Sequence, residues 1–271
     1  MTHTYPRFVT RFAPSPTGFL HLGHAHSALF AHREASAGGG KFLLRIEDID
    51  VGRCRSEFED AILEDLQWLG LSWSGEPMRQ SSRLDAYRAA LKDLEDRGLL
   101  YPCFCTRRDI QAEIAKSASA PHGPDGPHYP GTCRSVPEPE RRKRTQAGEA
   151  FALRLDMNKA VELAGPLTWV DLVQGRKTAE PQMFGDVVLA RKDIRTSYHL
   201  AVTLDDAIQG VTLVTRGQDL FSASHVHRLL QALLDLPVPQ WHHHRILADE
   251  KGRRLAKRHD ALSVRALREK G

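Results

Sequence analysis

The first fifty residues alternate short apolar runs with loop-forming residues. The run RFVTRFA (7–13) predicts a short strand, and KFLLRIED (41–48) predicts a mostly buried one. Between them lies a predicted helix that ends at the glycines 38–40. One face of this helix is apolar and carries Leu22, Ala25, Leu29 and Phe30. Strand, helix and strand in this order indicate a right-handed parallel unit.

Two further helices are predicted between residues 56 and 98. Ser56 and Glu59 fit a capping box at the start of the first, and Gly70 is its expected stop. The second ends before Gly98. Its apolar face is formed by Leu84, Tyr87, Leu91 and Leu94.

The character of the chain changes at about residue 101. The following segment is rich in Pro, Gly, Ser and charge, which predicts an inserted, loop-rich module. Alternating strand and helix patterns return near residue 186 and include the apolar strand VTLVTRG at 211–217. The predicted divisions are 1–100 and 186–240 as two halves of one α/β domain, 101–185 as the insertion and 241–271 as a closing segment.

Composition narrows the class of protein. The chain has 271 residues, 41% apolar and 27% charged, with a net charge of +4, as is ordinary for a globular protein that tolerates a polyanionic partner. Neither a signal peptide nor a membrane-spanning apolar run is visible. We therefore expect a cytoplasmic protein with no membrane partner, in which the four cysteines are free or bound to metal.

The stretch RFAPSPTGFLHLGHAH places His21 and His24 at a junction between a loop and a helix. Two prolines fix the backbone of this loop, and a glycine permits close approach. The start of a helix favours an anion, and two imidazoles beside it can donate to phosphate oxygens. The stretch therefore predicts a phosphate site. The plainer alternative is two surface histidines among the 14 in the chain.

A basic run, RRLAKR (253–258), follows a turn-like DEKG near the C-terminus. Lys257 can act as a point charge on a triphosphate. Alone, such a run is more typical of a solvated basic tail. Its occurrence together with the His21–His24 pair favours nucleotide binding.

Three of the four cysteines lie in the predicted insertion, together with a histidine and a tyrosine that could also bind a metal. Cys103 and Cys105 are two apart, and Cys133 follows Tyr129 by four residues. Three thiolates and one further donor, either His128 or Tyr129, would complete a tetrahedral zinc site. Reduced cysteines without a metal are the alternative, and Cys54 is expected to be a free thiol.

RFAPSPTGFLHLGH closely resembles the signature of the class I aminoacyl-tRNA synthetases of the glutamate branch, which carry their HIGH-type motif inside this stretch. LLRIEDID, YHLAVTLDDAIQGVTLVTRGQDL and RRLAKRHDA are similar to later landmarks of that family, in order and over nearly the whole chain. The resemblance implies an α/β, Rossmann-type catalytic domain with a parallel sheet, an inserted zinc-binding subdomain and a C-terminal KMSKS-type loop. Family members that charge tRNA(Glu) continue into a helical anticodon-binding region, and no such domain is expected in this chain.

The resemblance also implies roles for individual residues in forming an aminoacyl-adenylate from ATP with Mg²⁺. The residues expected to bind glutamate are Arg11, Ser15, Glu47, Tyr198 and Arg216. The residues expected to bind ATP are His21, Gly23, His24, Arg254 and Lys257, with His21, His24 and Lys257 catalytic. Two arginines suit two carboxylates, and Glu47 suits an ammonium group. The plainer alternatives are an ion pair for Arg216, a structural partner of Arg45 for Glu47 and a packed core ring for Tyr198.

Two departures from the family pattern indicate its short branch. Val202 stands in YHLAV where enzymes that charge tRNA(Glu) resemble YHLAN, and Asp219-Leu220 stand where those enzymes usually have Glu-Trp. The chain also stops about where the family's catalytic core ends. The branch implied is the glutamyl-queuosine tRNA(Asp) synthetases, expected to be monomers, which activate L-glutamate without tRNA and attach it to queuosine in the anticodon of tRNA(Asp). In that branch tyrosine is the fourth zinc ligand, which implies one structural Zn²⁺ on Cys103, Cys105, Tyr129 and Cys133.

Three other functions stay open from sequence. A minimal enzyme charging tRNA(Glu) would share the catalytic motifs. Ala256 replaces a hydroxyl residue of the closing-loop motif, which allows slow activation or a non-catalytic tRNA-binding protein. A small-molecule nucleotidyltransferase would share the His21–His24 motif, but the residues expected to bind an acidic amino acid argue against it.

Overall fold

Two parallel sheets dominate the computed structural model, which describes residues 7–116, 122–124, 126–247 and 263–270. The strands are β1 (Val9–Phe12), β2 (Lys41–Ile46), β3 (Met78–Arg79), β4 (Leu100–Cys103), β5 (His122–Gly123), β6 (Gly126–Pro127), β7 (Ala152–Leu155), β8 (Thr168–Asp171), β9 (Gly175–Thr178), β10 (Val188–Ala190), β11 (Leu213–Gly217) and β12 (Gln240–His244). The α-helices are α1 (Leu22–Ala37), α2 (Ser56–Trp68), α3 (Leu84–Asp96), α4 (Arg107–Lys116), α5 (Glu138–Gln146), α6 (Met157–Ala164), α7 (Tyr198–Ile208), α8 (Ala223–Leu233) and α9 (Val264–Arg268). Short 3-10 helices cover Gln80–Arg83, Pro181–Phe184 and Gln218–Leu220.

The two sheets meet between β1 and β11. The first has the order β1-β2-β3, and the second β11-β12-β8-β9, with all neighbours parallel except β8 and β9. The Thr212 N–H donates to the Val9 carbonyl at 3.0 Å, which joins the starts of β1 and β11. The strand order therefore reverses between these two strands, as in a Rossmann-type fold. Such folds bind ligands beyond the carboxyl ends of the strands at this point.

Helix α1 confirms the predicted parallel unit but presents a different face to the core. Its buried residues are Ala25, Ala28, Ala31 and Ala35. Leu29, which the apolar pattern put on the buried face, is 43% exposed. Small side chains let the helix lie close to β1 and β2, so its hydrophobic periodicity is weak.

The predicted capping box of α2 is wrong. Arg55 occupies the N-cap position and makes no side-chain capping bond, and Ser56 is already helical. The predicted stop is confirmed, because the helix ends at Trp68 and Gly70 adopts a positive φ of 73°. Helix α3 buries Tyr87, Leu91 and Leu94 as predicted, whereas Leu84 is 40% exposed.

The middle of the chain forms an antiparallel sheet with the order β10-β7-β4. Strand pairing crosses the predicted division at residue 185: β8 pairs with β12 of the second parallel sheet, whereas β10 pairs with β7. The division into domains itself stays a prediction. Within the described parts of the chain, the helices are all too short or too polar to cross a bilayer.

The C-terminal helix α9 packs against the first half of the fold. The Val264 N–H donates to the Leu20 carbonyl at 2.8 Å, and the Val264 side chain is buried in the core that surrounds α1. Ser263 forms an antiparallel bridge with His21. The chain therefore returns to the start of α1 after the segment 248–262.

The alanine face of α1 provides a test of packing with neighbouring positions as matched controls. We expect Ala28→Leu to lower the free energy of unfolding by about 1–3 kcal/mol, because Ala28 is fully buried and extra methylenes have no room. Leu29→Ala should change it by less than about 0.5 kcal/mol, because this side chain is partly exposed. Urea unfolding followed by circular dichroism measures both. Equal effects would contradict the packing described.

Candidate active site

A cavity of about 240 Å³ opens at the carboxyl ends of β1 and β11. Of the ten residues expected to bind glutamate or ATP, seven line it: Arg11, His21, Gly23, His24, Glu47, Tyr198 and Arg216. They come from β1, the start of α1, the end of β2, the start of α7 and β11. Ser15 is exposed and is not among the lining residues. The tertiary structure thus brings together residues up to 205 positions apart, from Arg11 to Arg216.

The two histidines of the first motif cap α1. The Gly23 N–H donates to His21 Nδ1 at 3.0 Å, and the His21 N–H donates to His24 Nδ1 at 3.3 Å. The rings stack with centroids 3.8 Å apart. A neutral imidazole that accepts at Nδ1 carries its proton on Nε2, so each ring has a donor at its outer nitrogen. This arrangement suits phosphate oxygens at the start of a helix.

Gly23 is required by the close approach of the His21 ring. A Cβ at this position would lie 2.8 Å from His21 Cε1. A larger residue would therefore displace the imidazole that caps the helix. The glycine of the motif serves the geometry of the cap.

Asp206 of α7 holds two of the arginines. It accepts from Arg11 Nε at 2.8 Å and from Arg45 Nη1 at 2.7 Å. Burial alone would raise the pKa of Asp206, but the two guanidinium groups hold it below its usual value. Arg45 also contacts Glu47 at 3.2 Å, which agrees with the structural alternative for Glu47, although Glu47 lines the cavity as well.

Arg216 has a different environment. It is only 6% exposed, and among the described residues no carboxylate lies within ion-pair distance of it. Its partners are neutral. They are His243 Nε2 (3.2 Å), His227 Nδ1 (3.2 Å), Tyr198 Oη (3.4 Å) and Ser224 Oγ (2.6 Å). Burial lowers the pKa of Arg216, because a guanidinium without a counter-charge is unfavourable in the interior.

The histidines around Arg216 are held neutral. Burial, and then the charge of Arg216, lowers the pKa of His243 to about 4 and that of His227 well below 6.5. His227 also contacts His199, with 3.2 Å between His227 Nε2 and His199 Nδ1. Burial also favours the neutral forms of Glu47 and Tyr198, and it therefore raises the pKa of each. Arg216 therefore lines the cavity as a buried cation with no carboxylate partner in the described parts of the chain, and an anionic ligand would complete its charge balance.

Sequence reasoning missed the residues that hold the arginines. Asp206 and His227 lie within the apolar patterns of α7 and α8, where nothing in the local sequence distinguishes them from core polar residues. His243 is one of three consecutive histidines in β12, and the sequence does not show which of them is buried beside Arg216. Arg254 and Lys257 lie outside the described residues. Their segment is bounded by Leu247, which lines the cavity, and by Ser263, which pairs with His21.

The cysteines predicted to bind metal converge. The Sγ atoms of Cys103, Cys105 and Cys133 all lie within 4.8 Å of one another, and Cys54 lies apart as a free thiol. The Tyr129 hydroxyl is 3.5 Å from Cys105 Sγ and accepts from the Cys133 N–H at 2.8 Å. Such a set of donors could hold a metal such as zinc.

His128 and Tyr129 differ in their availability to this cluster. His128 Nε2 is 2.6 Å from the Met183 carbonyl and is therefore engaged by the backbone. Tyr129 Oη, in contrast, contacts two of the cysteines. Arg154 lies over the tyrosine ring at 3.9 Å, a contact that fixes its orientation.

A family model for the catalytic domain of the class I tRNA synthetases for glutamate and glutamine matches residues 7–271. The chain belongs to this family. This confirms the resemblance described from the sequence motifs, and with it a family of ligases.

Comparison with individual proteins shows which members of the family the chain is similar to. The chain is 52% identical over 268 residues to the glutamyl-Q tRNA(Asp) synthetase of Rhodobacter capsulatus, covering 97% of this chain and 95% of the relative. It is 40% identical to the glutamate–tRNA ligase of Aquifex aeolicus, over 97% of this chain but 54% of that protein. A crystal structure of a glutamate–tRNA ligase from Elizabethkingia meningosepticum in complex with its amino acid has a TM-score of 0.78 and 28% identity. It is matched over 93% of this chain and 52% of that one, so this synthetase spans about half the length of these two ligases.

The buried histidines of this synthetase couple its stability to pH. The pKa of His199 and of His243 falls from 6.5 to about 4 on folding, because burial and then Arg216 disfavour the charged form. Between these values the unfolded chain binds protons that the folded chain does not. The free energy of unfolding should therefore fall as the pH is lowered through this range. Asp65, whose pKa burial raises to about 6, acts in the opposite direction.

Urea unfolding across that pH range measures the dependence, and His199→Gln isolates the contribution of one histidine from that of Asp65. The glutamine cannot titrate, so the variant should show a shallower loss of stability at low pH. The same slope in both chains would show that His199 is not held neutral by the fold.

Proposed function

We propose that this cavity activates L-glutamate with ATP in the absence of tRNA and that the enzyme then transfers glutamate to the queuosine of tRNA(Asp). The observation that carries the first half is Arg216, a buried guanidinium that lines the cavity and whose hydrogen-bond partners, among the residues that the structure describes, are all neutral. A carboxylate ligand would supply the missing charge and form charge-assisted hydrogen bonds. Because charge in the interior is costly when unpaired, this ligand class is favoured over a neutral one.

The rest of the cavity suits the other groups of glutamate. Arg11 lines it from the adjacent strand, β1, and is oriented by Asp206. Glu47 offers a carboxylate to an ammonium group, and Tyr198 a hydroxyl. Two cations for two carboxylates and one anion for an ammonium match a dicarboxylic amino acid.

ATP is proposed to bind at the start of α1. The capped helix end and the outer nitrogens of His21 and His24 are donors for its phosphates. Arg254 and Lys257 are proposed to reach the same phosphates from the segment between Leu247 and Ser263. Lys257 is only six residues from Ser263, which pairs with His21. An extended chain covers about 3.3–3.6 Å per residue, so Lys257 is near enough along the chain to reach the start of α1. Mg²⁺ is proposed to enter with ATP and to offset the charge of the phosphates.

The reaction requires positioning and electrostatic stabilisation rather than a protein nucleophile. The α-carboxylate of glutamate attacks the α-phosphorus of ATP. A bond forms between a carboxylate oxygen and the α-phosphorus. The bond between the α-phosphorus and the oxygen that bridges it to the β-phosphorus breaks, and pyrophosphate leaves with that electron pair. A hydroxyl of queuosine then attacks the acyl carbon, loses its proton and releases AMP.

Two observations favour queuosine in tRNA(Asp) as the acceptor. The relative with 52% identity is named glutamyl-Q tRNA(Asp) synthetase. In addition, Val202 and Asp219-Leu220 depart from the pattern of enzymes that charge tRNA(Glu). The second candidate is the charging of tRNA(Glu), which the 40% identity to a glutamate–tRNA ligase favours.

We further propose that the cysteine cluster holds one structural Zn²⁺ with Tyr129 as its fourth ligand. The pKa of Cys133 falls to about 7, because hydrogen bonds from Tyr129 and the Phe104 N–H outweigh burial. The module around it has a small core of Tyr101, Phe104 and the cysteines. A metal would stabilise a segment that buries so little apolar surface.

Metal content tests this site with a matched pair of cysteines. We expect about one zinc per chain in the purified protein, by the ligand count of a single tetrahedral site. Cys105→Ser should lose the metal and lower the melting temperature. Cys54→Ser, which removes the thiol away from the cluster, should retain both. Metal-free native protein, or equal loss in the two variants, would contradict the proposal.

ATP–pyrophosphate exchange with glutamate and without tRNA tests activation. The native enzyme should exchange. Arg216→Lys should raise the KM for glutamate about ten- to a hundredfold, because a bond to a charged group contributes about 1.5–3 kcal/mol, and should leave the KM for ATP unchanged. Lys257→Ala should abolish exchange, whereas Lys251→Ala, in the DEKG sequence just before the basic run, should not. Absence of exchange in the native enzyme would reject activation without tRNA.

The acceptor is tested with the same enzyme and radiolabelled glutamate. Label should enter tRNA(Asp) that bears queuosine and not tRNA(Asp) that lacks it. Equal labelling of queuosine-free tRNA, or labelling of tRNA(Glu), would favour the second candidate.

A further inference from the structure

A buried chain of polar groups runs behind Arg216, away from the cavity. It crosses three neighbouring strands, from Arg216 in β11 through His243 in β12 to Asp171 at the end of β8. Arg216 Nε lies 3.2 Å from His243 Nε2, and His243 Nδ1 lies 2.7 Å from Asp171 Oδ2. The side chains of His243 and Asp171 are completely buried, and neither residue lines the cavity.

The direction of these hydrogen bonds fixes the tautomer of His243. A guanidinium only donates, so Nε2 must be the unprotonated nitrogen that accepts from Arg216. The proton then lies on Nδ1 and is donated to Asp171. Ser224 Oγ, 3.4 Å from Nε2 and 2.6 Å from Arg216 Nη2, is consistent with an acceptor at this nitrogen.

Both oxygens of Asp171 are committed to donors. Oδ1 accepts from the N–H groups of Val173 (2.9 Å) and Gln174 (2.8 Å) in the turn after β8. Oδ2 accepts from His243 Nδ1 and from the His243 N–H at 3.3 Å. Burial would raise the pKa of Asp171, but these bonds hold it below its usual value. An amide at this position would therefore face donors on both sides.

We propose that Asp171 is a positioning residue for substrate binding, which acts through His243 to keep an acceptor facing Arg216 and thereby orients the guanidinium towards the ligand carboxylate. This inference rests on the proposed binding of glutamate at Arg216. It assigns a role to two side chains that touch neither the cavity nor any group expected to react.

Asp171→Asn reverses the direction of the hydrogen bonds between Arg216, His243 and residue 171 with almost no change in the shape of the side chain. The amide oxygen is retained by the two N–H groups of the turn, so the amide nitrogen faces His243 and donates to Nδ1. His243 must then carry its proton on Nε2, where it opposes the Arg216 N–H. A histidine held in the wrong tautomer by an Asp-to-Asn change has a known precedent in the serine-protease triad.

We expect Asp171→Asn to raise the KM for glutamate in ATP–pyrophosphate exchange by about tenfold or more, as for a lost bond to a charged group, with the KM for ATP unchanged. In protein labelled with ¹⁵N-histidine, the His243 signals should change from the Nδ1–H to the Nε2–H pattern. The signals are assigned by their loss in His243→Gln. Asp156→Asn is the matched control, because Asp156 is also a buried carboxylate that accepts a backbone N–H, at the start of α6, and asparagine caps helices well. It should change neither readout.

A second pair of variants tests the inference even if Asp171→Asn fails to fold. His243→Gln carries an acceptor for Arg216 and a donor for Asp171 on one planar group, so its KM for glutamate should lie close to the native value. His243→Leu offers neither group and should raise that KM as Asp171→Asn does. Equal values for the glutamine and leucine variants would overturn the positioning role, as would a change of tautomer without a change in KM. If the native enzyme shows no exchange, the proposed function fails, whereas an unchanged tautomer in Asp171→Asn refutes the inference by itself.

Discussion

The pairing of Asp206 with both Arg11 and Arg45 is the interaction on which the site depends. It joins α7 to the first two strands of the parallel sheet and neutralises two buried guanidinium groups with one carboxylate and the help of Glu47. Breaking a buried pair of this kind is costly, because the remaining charge has no partner. The interaction therefore fixes the relative position of the elements that carry the cavity.

Arg11 and Arg45 are paired with a carboxylate, whereas Arg216 has neutral partners, and this difference determines which kind of ligand the cavity attracts. Arg216 is surrounded by a tyrosine, a serine and histidines whose pKa values are lowered by burial and by the guanidinium itself. Neutral acceptors orient a guanidinium without satisfying its charge. A site organised in this way keeps most of its electrostatic attraction for a ligand, and its donors need little rearrangement on binding.

The cysteine cluster bears on a separate question, the stability of the module that contains it. It lies in a segment rich in Pro and Gly, whose apolar core is limited to a few aromatic rings and the cysteines themselves. Short loops of this composition gain little from hydrophobic burial. The three thiols and the Tyr129 hydroxyl are nevertheless held close together by the antiparallel sheet and by hydrogen bonds to the backbone.

The sequence by itself determined the α/β class and the parallel unit formed by β1, α1 and β2, because apolar runs, loop-forming residues and glycine stops carry local signals. Through its motifs it also pointed to seven of the eighteen residues that line the cavity. It did not determine which face of α1 is buried, since alanines at the helix interface give a weak pattern. Nor did it reveal the partners of Arg216. His227, His243 and Asp171 are 11 to 45 residues away from Arg216 along the chain. His227 contacts Arg216 from α8, whereas the parallel pairing of β11, β12 and β8 brings His243, and behind it Asp171, to Arg216. Local sequence encodes elements and caps, whereas the charge balance of a buried site depends on contacts between distant strands, which only the tertiary structure decides.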